Sequence, residues 1–431
     1  MQSPSSRRLA LVVMGALFFI FGMVSWVNSI LIPYFKVCCE LSHAQSYLVA
    51  MSFYIAYLLM SVPNSKVLDR IGIRRGITVG LWTMSLGSAV FVPAALLRSY
   101  PLFLAGLFII GTGLSMLQTV ANPTVTALGP INSAARRISI MGLCNKTAGI
   151  LAPLIFAAVI LRPTDAETFH VIESNLVVGS ERVLLLNSII RRVILPYSVL
   201  AAFLFLFGLT VRFIPMPQVD SCDGDDAMAE RPKAGSRSIW SYPYFVLGVI
   251  ALFLHVAEQV VSVDTVISYA VSMGYSLQEA KVFPSLTLLC SLIGYCAGIV
   301  LIPRFVSQLH MLRVSVTAGL VLSLLVLVIP GTVMISGHPT SLSIFCLNAL
   351  GFCNALIYAG IWPLAIHDLG SHTNRGSSFM VMALCGNAFL PVVYGLFADR
   401  MGLREAYWVL LPCFLYLIFY AFKGYKIKTW K

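Results

Sequence analysis

Apolar residues come in long stretches along this chain. Windows of about 20 residues, enough for a helix to cross roughly 30 Å of hydrocarbon, fall at 10–34, 46–65, 76–97, 101–128, 138–161, 190–214, 242–272, 279–303, 311–330, 341–368, 376–397 and 405–423. Backbone N–H and C=O groups in hydrocarbon must satisfy one another, so each window is predicted as a helix. The pattern therefore predicts an all-α membrane protein with twelve transmembrane helices. Several windows exceed the length needed, which permits a tilt or a break and fixes neither.

Composition agrees with this pattern. Of the 431 residues 58% are hydrophobic and 11% charged, where a soluble domain carries about 25% charged residues. Arg7 and Arg8 precede an apolar run too long for a signal-peptide core, so the first span is expected to stay as a helix. The ten cysteines show no CxxC or His-spaced pairing, and the adjacent Cys38 and Cys39 read as packing or lipid-facing residues. Neither a metal nor another cofactor is expected.

A net charge of +12 suggests nucleic acid until its distribution is read. With the N-terminus inside, 19 Lys and Arg fall on the cytoplasmic side and 9 on the other, with Lys146 alone buried. The positive-inside rule then puts both termini in the cytoplasm. The basicity is topology, the expected partner is the lipid bilayer, and no nucleic-acid partner is expected.

Residues 215–240, rich in Pro, Gly, Ser and charge, read as a linker between an N-terminal six-helix bundle (1–214) and a C-terminal one (241–431). An apolar stretch around Val183–Ile190 in the preceding outer loop is expected as an interfacial helix. The halves resemble each other. Pro123, Leu128-Gly129, Arg136, Met141-Gly-Leu-Cys144 and Pro153 reappear as Pro363, Leu369-Gly370, Arg375, Met382-Ala-Leu-Cys385 and Pro391, at an offset near 240 residues. Asn145 and Asn387 end the matching segments. Two parallel six-helix repeats around a midplane site is the major facilitator arrangement.

The loop after the second span reads Ser65-Lys-Val-Leu-Asp69-Arg70-Ile-Gly72-Ile-Arg74-Arg75. It looks like that superfamily's G-x-x-x-D-R-x-G-R-R loop, with Ser65 in place of the leading Gly. An Asp beside basic residues at a helix end can form a charge-assisted latch, and Gly72 permits a tight turn. Asp69, Arg70, Gly72 and Arg74 are thus structural-loop candidates; the plainer reading is a solvated basic loop. A second copy, Gly395-Leu-Phe-Ala-Asp399-Arg400-Met-Gly402, ends the eleventh span and is expected to face outward and serve structure.

Only Lys146, Glu258 and Asp264 fall deep inside apolar spans. Each such charge costs about 2.5–3.5 kcal/mol near a bilayer centre, so each must be paired, wetted or used. Lys146 lies about 12 Å into its helix, too deep for easy snorkelling. Glu258 and Asp264 share the seventh span, with His255 one turn before Glu258. These carboxylates are the ion-coupling candidates, with Lys146 as counter-charge across the halves. A static ion pair is the alternative.

Amides supply the second set of candidates. Gln118 and Asn122 are four residues apart and share a helix face; Pro123 frees a backbone carbonyl one turn earlier. Each amide both donates and accepts, which suits a polyhydroxylated ligand; the alternative is interhelical glue. Trp26 and Asn28 in the first span and Asn145 in the fifth read similarly. In the tenth span Asn354, Tyr358 and Trp362 recur at four-residue spacing, where the rings either stack on sugar or simply pack.

With these residues assembled, the chain resembles the fucose–galactose–glucose:cation symporter family of the major facilitator superfamily. The resemblance rests on Asn28-Ser-Ile-Leu-Ile-Pro33, Leu117-Gln-Thr-Val-Ala-Asn-Pro123 with Leu128-Gly129-Pro130, and Leu151-Ala-Pro-Leu154. Trp362-Pro-Leu-Ala-Ile366 and Tyr394-Gly-Leu-Phe-Ala-Asp399 point to its glucose/galactose branch. The resemblance implies a secondary transporter, not an enzyme, that works by alternating access. In the fucose branch, carboxylates of the first and fourth helices carry proton coupling and sugar contact, and a fifth-helix Asn binds sugar. The matching positions here are Ser29, Gln118 and Asn145, so that proton relay does not carry over. The expected function is import of a neutral hexose, glucose or galactose more than fucose, across the cell inner membrane with H⁺ or Na⁺. The expected sugar contacts are Gln118, Asn122, Asn145, Asn28 and Trp26 from one half and Asn354, Trp362 and Asn387 from the other. A major facilitator exporter of drugs or other metabolites, or an uncoupled sugar sensor or facilitator, are the alternatives.

Overall fold

A computed structural model describes residues 4–127, 134–162, 179–213, 238–301, 305–335, 337–366 and 373–430, with isolated positions at 165, 168, 169, 172 and 369. Eleven helices among them are long and apolar enough to cross a membrane, and the shorter apolar helix Leu48–Ser61 supplies the second span. The first half continues with Leu11–Cys38 before it, then Arg70–Leu96, Tyr100–Ala121, Ile140–Ile160 and Gly179–Phe213. The second half holds Pro243–Val271, Leu277–Leu301, Gln308–Val328, Ser343–Ile366, Phe379–Met401 and Glu405–Lys426. An even number of crossings brings both termini to one end of the bundle. The connector 215–237 lies outside the described residues, as do residues 128–130 and 367–368 at the ends of two predicted windows.

The two six-helix halves are pseudo-repeats in packing as well as in sequence. The fifth span packs on the first as the eleventh packs on the seventh. Between the halves the fifth meets the eighth and the second meets the eleventh, contacts that the repeat interchanges. The repeat extends to two helix interruptions. The first span breaks at Val27, between Pro4–Trp26 and Asn28–Cys38; the seventh breaks at Thr265, between Pro243–Asp264 and Val266–Val271. Val27-Asn28-Ser29 and Val263-Asp264-Thr265 are matching tripeptides. At each break a hydroxyl donates to a carbonyl of the preceding turn: Ser29 Oγ to Trp26 O at 2.8 Å, and Thr265 Oγ1 to Val261 O at 2.7 Å, where the Thr265 N–H also donates.

Three local features differ from the sequence expectation or refine it. The segment around Val183–Ile190 is not a separate interfacial helix: Gly179–Ile190 runs through one 3₁₀ turn, Arg191–Val193, into Ile194–Phe213. Leu186, Ile189 and Ile190 are fully buried, and Arg192 Nη1 donates to Asp165 Oδ2 at 2.5 Å, which fixes the turn. A short antiparallel hairpin, Thr332–Ile335 with His338–Ser341, joins the ninth and tenth spans. Gly72 stands at φ 78°, the one non-helical residue between Leu48 and Leu96, so the second and third spans meet at a left-handed kink that favours glycine.

Candidate functional site

The first and fifth spans build one side of the interior. Trp26 Nε1 donates to Asn145 Oδ1 at a long 3.4 Å, and Asn145 Nδ2 donates to the Phe18 carbonyl at 3.3 Å. The Lys146 ammonium sits 4.2 Å from the Trp26 ring centroid. Gly149, one turn further on, lets the indole lie flat: a Cβ there would be 2.5 Å from Trp26 Cδ1. Lys146 and Trp26 are each only 6% exposed, so this is a desolvated cation–π contact, worth about 2 kcal/mol. Gln118, half-buried, donates from Nε2 to Tyr57 Oη of the second span at 2.9 Å.

The seventh and tenth spans build the facing side. His255 Nδ1 lies 3.0 Å from Glu258 Oε1, and Asn354 Nδ2 donates to Glu258 Oε2 at 3.0 Å. All three residues are fully buried. Lys146 lies within electrostatic reach of the His255 ring, which ties the two sides together. Further along the tenth span Tyr358 and Trp362 stack, with ring centroids 5.6 Å apart and planes at 24°. Asn387, half-buried on the eleventh span, has no hydrogen-bond partner for its Oδ1 among the described residues.

Among the described residues of this conformation, the static ion pair across the halves, the alternative reading of these charges, is not formed. No ion pair of the described residues involves Lys146; Glu258 is instead hydrogen-bonded to His255 and Asn354. Asp264 joins neither. It is fully buried near the Tyr54 and Tyr47 hydroxyls of the other half, and neither carboxyl oxygen has a hydrogen-bond partner among the described residues. Asn28, its counterpart in the repeat, likewise has both amide atoms buried without partners there.

Sequence reasoning missed several pairings because the partners are far apart in the chain. Trp26 and Asn145 are 119 residues apart, and Tyr57 and Gln118 are 61; nothing local in the sequence signals either. The side chains of Asn122 and Asp69 lie outside the described residues. Arg70 is exposed, and Arg74 Nη2 donates to the Arg212 carbonyl at the end of the sixth span.

At the end of the bundle away from the termini, the halves are in contact. Asp399 Oδ1 accepts from the His43 backbone N–H at 2.8 Å and Oδ2 from that of Ala44 at 2.9 Å. The carboxylate thus caps the one-turn helix His43–Ser46 that leads into the second span, where backbone donors have no intrahelical partner. Burial, with Lys36 close by, pushes His43 down to about 4, so the ring is neutral near pH 7 and the contact is carboxylate to backbone. Ser285 Oγ of the eighth span also donates to the Ile150 carbonyl of the fifth at 2.7 Å. At the same end Glu40 accepts from Arg98 Nη2 at 2.9 Å and Arg182 Nε at 2.8 Å. Its partial burial opposes the charge, but these bonds prevail and hold the carboxyl below its ordinary range.

Comparison with known proteins places this architecture. The model of the major facilitator superfamily matches residues 14–389. The chain is 30% identical to a glucose/galactose transporter of Brucella abortus over 99% of this chain and 96% of that protein. It is 29% identical to the L-fucose-proton symporter of Escherichia coli, over 96% and 92% of the two chains. Among solved structures, the major facilitator transporter FucP in the outward conformation superposes with a TM-score of 0.70 at 26% identity, covering 96% of this chain and 98% of that one. The chain is a multi-pass membrane transporter of the major facilitator superfamily and belongs to its fucose–galactose–glucose:cation symporter family.

Proposed function

We propose that this protein imports a neutral hexose, glucose or galactose, across the cell inner membrane by alternating access, driven by proton symport through Glu258. The observation that carries the reading is Glu258 itself: a carboxyl fully buried in the seventh span, held by His255 and Asn354, with Lys146 of the other half nearby. A carboxyl placed there can load a proton in one state and release it in another. The names of the relatives, a glucose/galactose transporter and a fucose-proton symporter, support the sugar and the proton. Asp264 is the second coupling carboxyl, and Na⁺ is the alternative ion.

The sugar site lies between Gln118, Asn145, Trp26 and Asn28 of the first half and Asn354, Trp362 and Asn387 of the second, with Asn122 on the Gln118 face. Partly exposed amides and a stacked Tyr358–Trp362 pair offer hydroxyl partners and an apolar ring face. The halves 1–214 and 241–431 rock about this site, joined by the linker 215–240. Both termini are cytoplasmic in this reading, as the charge distribution supports, which puts the contact of Asp399 with His43 and Ala44 on the periplasmic side. Sugar shifts this equilibrium only by binding the occluded form more tightly than the open ones.

Proteoliposomes with imposed H⁺ or Na⁺ gradients and a panel of labelled hexoses test the reading. Concentrative uptake of glucose or galactose is expected with an inward proton gradient. Glu258→Gln is expected to lose concentrative uptake by about a hundredfold, the scale of a lost positioned acid–base group, while sugar exchange between equal concentrations persists. Accumulation driven by Na⁺ alone would move the coupling to that ion; no accumulation under either gradient would remove symport.

A further inference from the structure

We infer that His255 is a proton relay that loads and unloads Glu258, taking a proton at Nε2 and passing one on from Nδ1. This inference rests on the symport reading above. His255 is fully buried, with Nδ1 3.0 Å from Glu258 Oε1 and Nε2 buried without a hydrogen-bond partner among the described residues. The two ends of the ring are therefore unequal: one is committed to the carboxyl, the other is free.

That asymmetry matches the two charge states of Glu258. When the carboxylate is ionised, Nδ1–H donates to Oε1, Asn354 donates to Oε2, and Nε2 is a bare acceptor. When the carboxyl is neutral, its O–H donates to Nδ1 and the ring carries its proton on Nε2. The same 3.0 Å contact serves both. The step balances: when the transport cycle opens this face to water, hydronium gives one proton to Nε2 and leaves as water, the N–H bond at Nδ1 breaks, and that proton bonds to Oε1. The ring is neutral before and after, and the reverse step discharges Glu258.

The surroundings favour a relay over a stored imidazolium. Lys146 of the fifth span is the cation within electrostatic reach of the ring, and a lone charge on so deeply buried a side chain is costly. The tenth span adds Asn354 and Cys353, and the twelfth adds Cys413, both thiols lying within reach of Glu258. The eighth and eleventh spans, also packed on the seventh, carry no carboxylate, amine or imidazole over 282–301 and 379–398. The part of the first span that meets the seventh offers only Lys36, which sits beside His43 at its far end. The chain end meets the seventh span at Tyr244, about three turns before His255. A purely structural histidine gains nothing from a buried, unpartnered ring nitrogen, which is costly to leave unsatisfied.

The test uses full-length protein in proteoliposomes with D-galactose as the probe, comparing wild type, His255→Gln, His255→Asn and Glu258→Gln. Two readouts are taken between pH 5.5 and 8.5 (about one unit below to two above the unperturbed histidine value): galactose counterflow, which needs no net proton movement, and galactose-driven proton uptake. Counterflow within about twofold of wild type with proton uptake slowed about a hundredfold in either histidine variant, and no further loss when combined with Glu258→Gln, is the expected result. Wild-type proton uptake with an unchanged pH profile in the histidine variants would overturn the relay alone. Loss of counterflow in both variants would also overturn it, since a relay is dispensable for exchange. Wild type that takes up no protons with galactose would sink the symport reading, and the relay with it.

Discussion

Gly395→Leu is expected to cut net sugar uptake about tenfold or more by preventing the halves from closing at the end away from the termini. A Cβ at Gly395 would stand 2.6 Å from Tyr47 Cδ2, 2.8 Å from Ala44 Cα and 3.0 Å from Ala44 N. Two of those atoms are backbone and cannot turn aside by a rotamer change, so the eleventh span must retreat from the second. Overpacking of this kind costs about 1–3 kcal/mol, and about 1.4 kcal/mol shifts a two-state population tenfold. Retreat also withdraws Asp399 from the His43 and Ala44 N–H groups it caps. Hydrogen exchange at residues 43–47 should rise together with the fall in uptake. Asp399→Asn, which keeps one acceptor oxygen and loses the charge, should act in the same direction and less strongly. Normal uptake with unchanged exchange in Gly395→Leu would remove this contact from the transport cycle.

Trp26→Ala is expected to lower uptake at subsaturating sugar about a hundredfold. The indole orients Asn145 through Nε1, covers the Lys146 ammonium and rests on Gly149. Loss of the desolvated cation–π contact, about 2 kcal/mol, and one hydrogen bond, about 1 kcal/mol, together correspond to that factor. Trp26→Phe separates the two: it keeps a ring face for Lys146 and removes only the N–H donor, whose contact is long. Its effect should be about fivefold. Initial rates across a range of sugar concentrations decide the matter. Wild-type rates in both variants would put the sugar elsewhere.

Single residues show where the sequence is informative. Lys146, Glu258 and Asp264 stand out because a charge inside a twenty-residue apolar window is rare and costly wherever the helix ends up. Their partners do not stand out. Lys146 lies on Trp26 and near His255, not against a carboxylate, because the fifth span packs between the first and the eighth. Asp399 looked like a spare copy of a loop motif, yet its function as a cap depends on His43 and Ala44, more than 350 residues away. Gly72 could be assigned to a turn from its place in a polar loop, since that demand is local. The Thr332–Ser341 hairpin was not foreseen, being a short polar-flanked connection with no strand pattern of its own.

Fold class, the twelve spans, the repeat and the family resemblance are all legible along the chain. These follow from quantities summed along the chain: hydrocarbon admits only helices of a given length, and basic loops sort to one side. Only the packed helices show which buried groups meet, that Asp399 reaches the His43 and Ala44 N–H groups, and that Glu258 is held by His255 and Asn354. Contacts between helices depend on packing side chains far apart in sequence, and one quarter-turn of a helix changes them while leaving its hydropathy untouched.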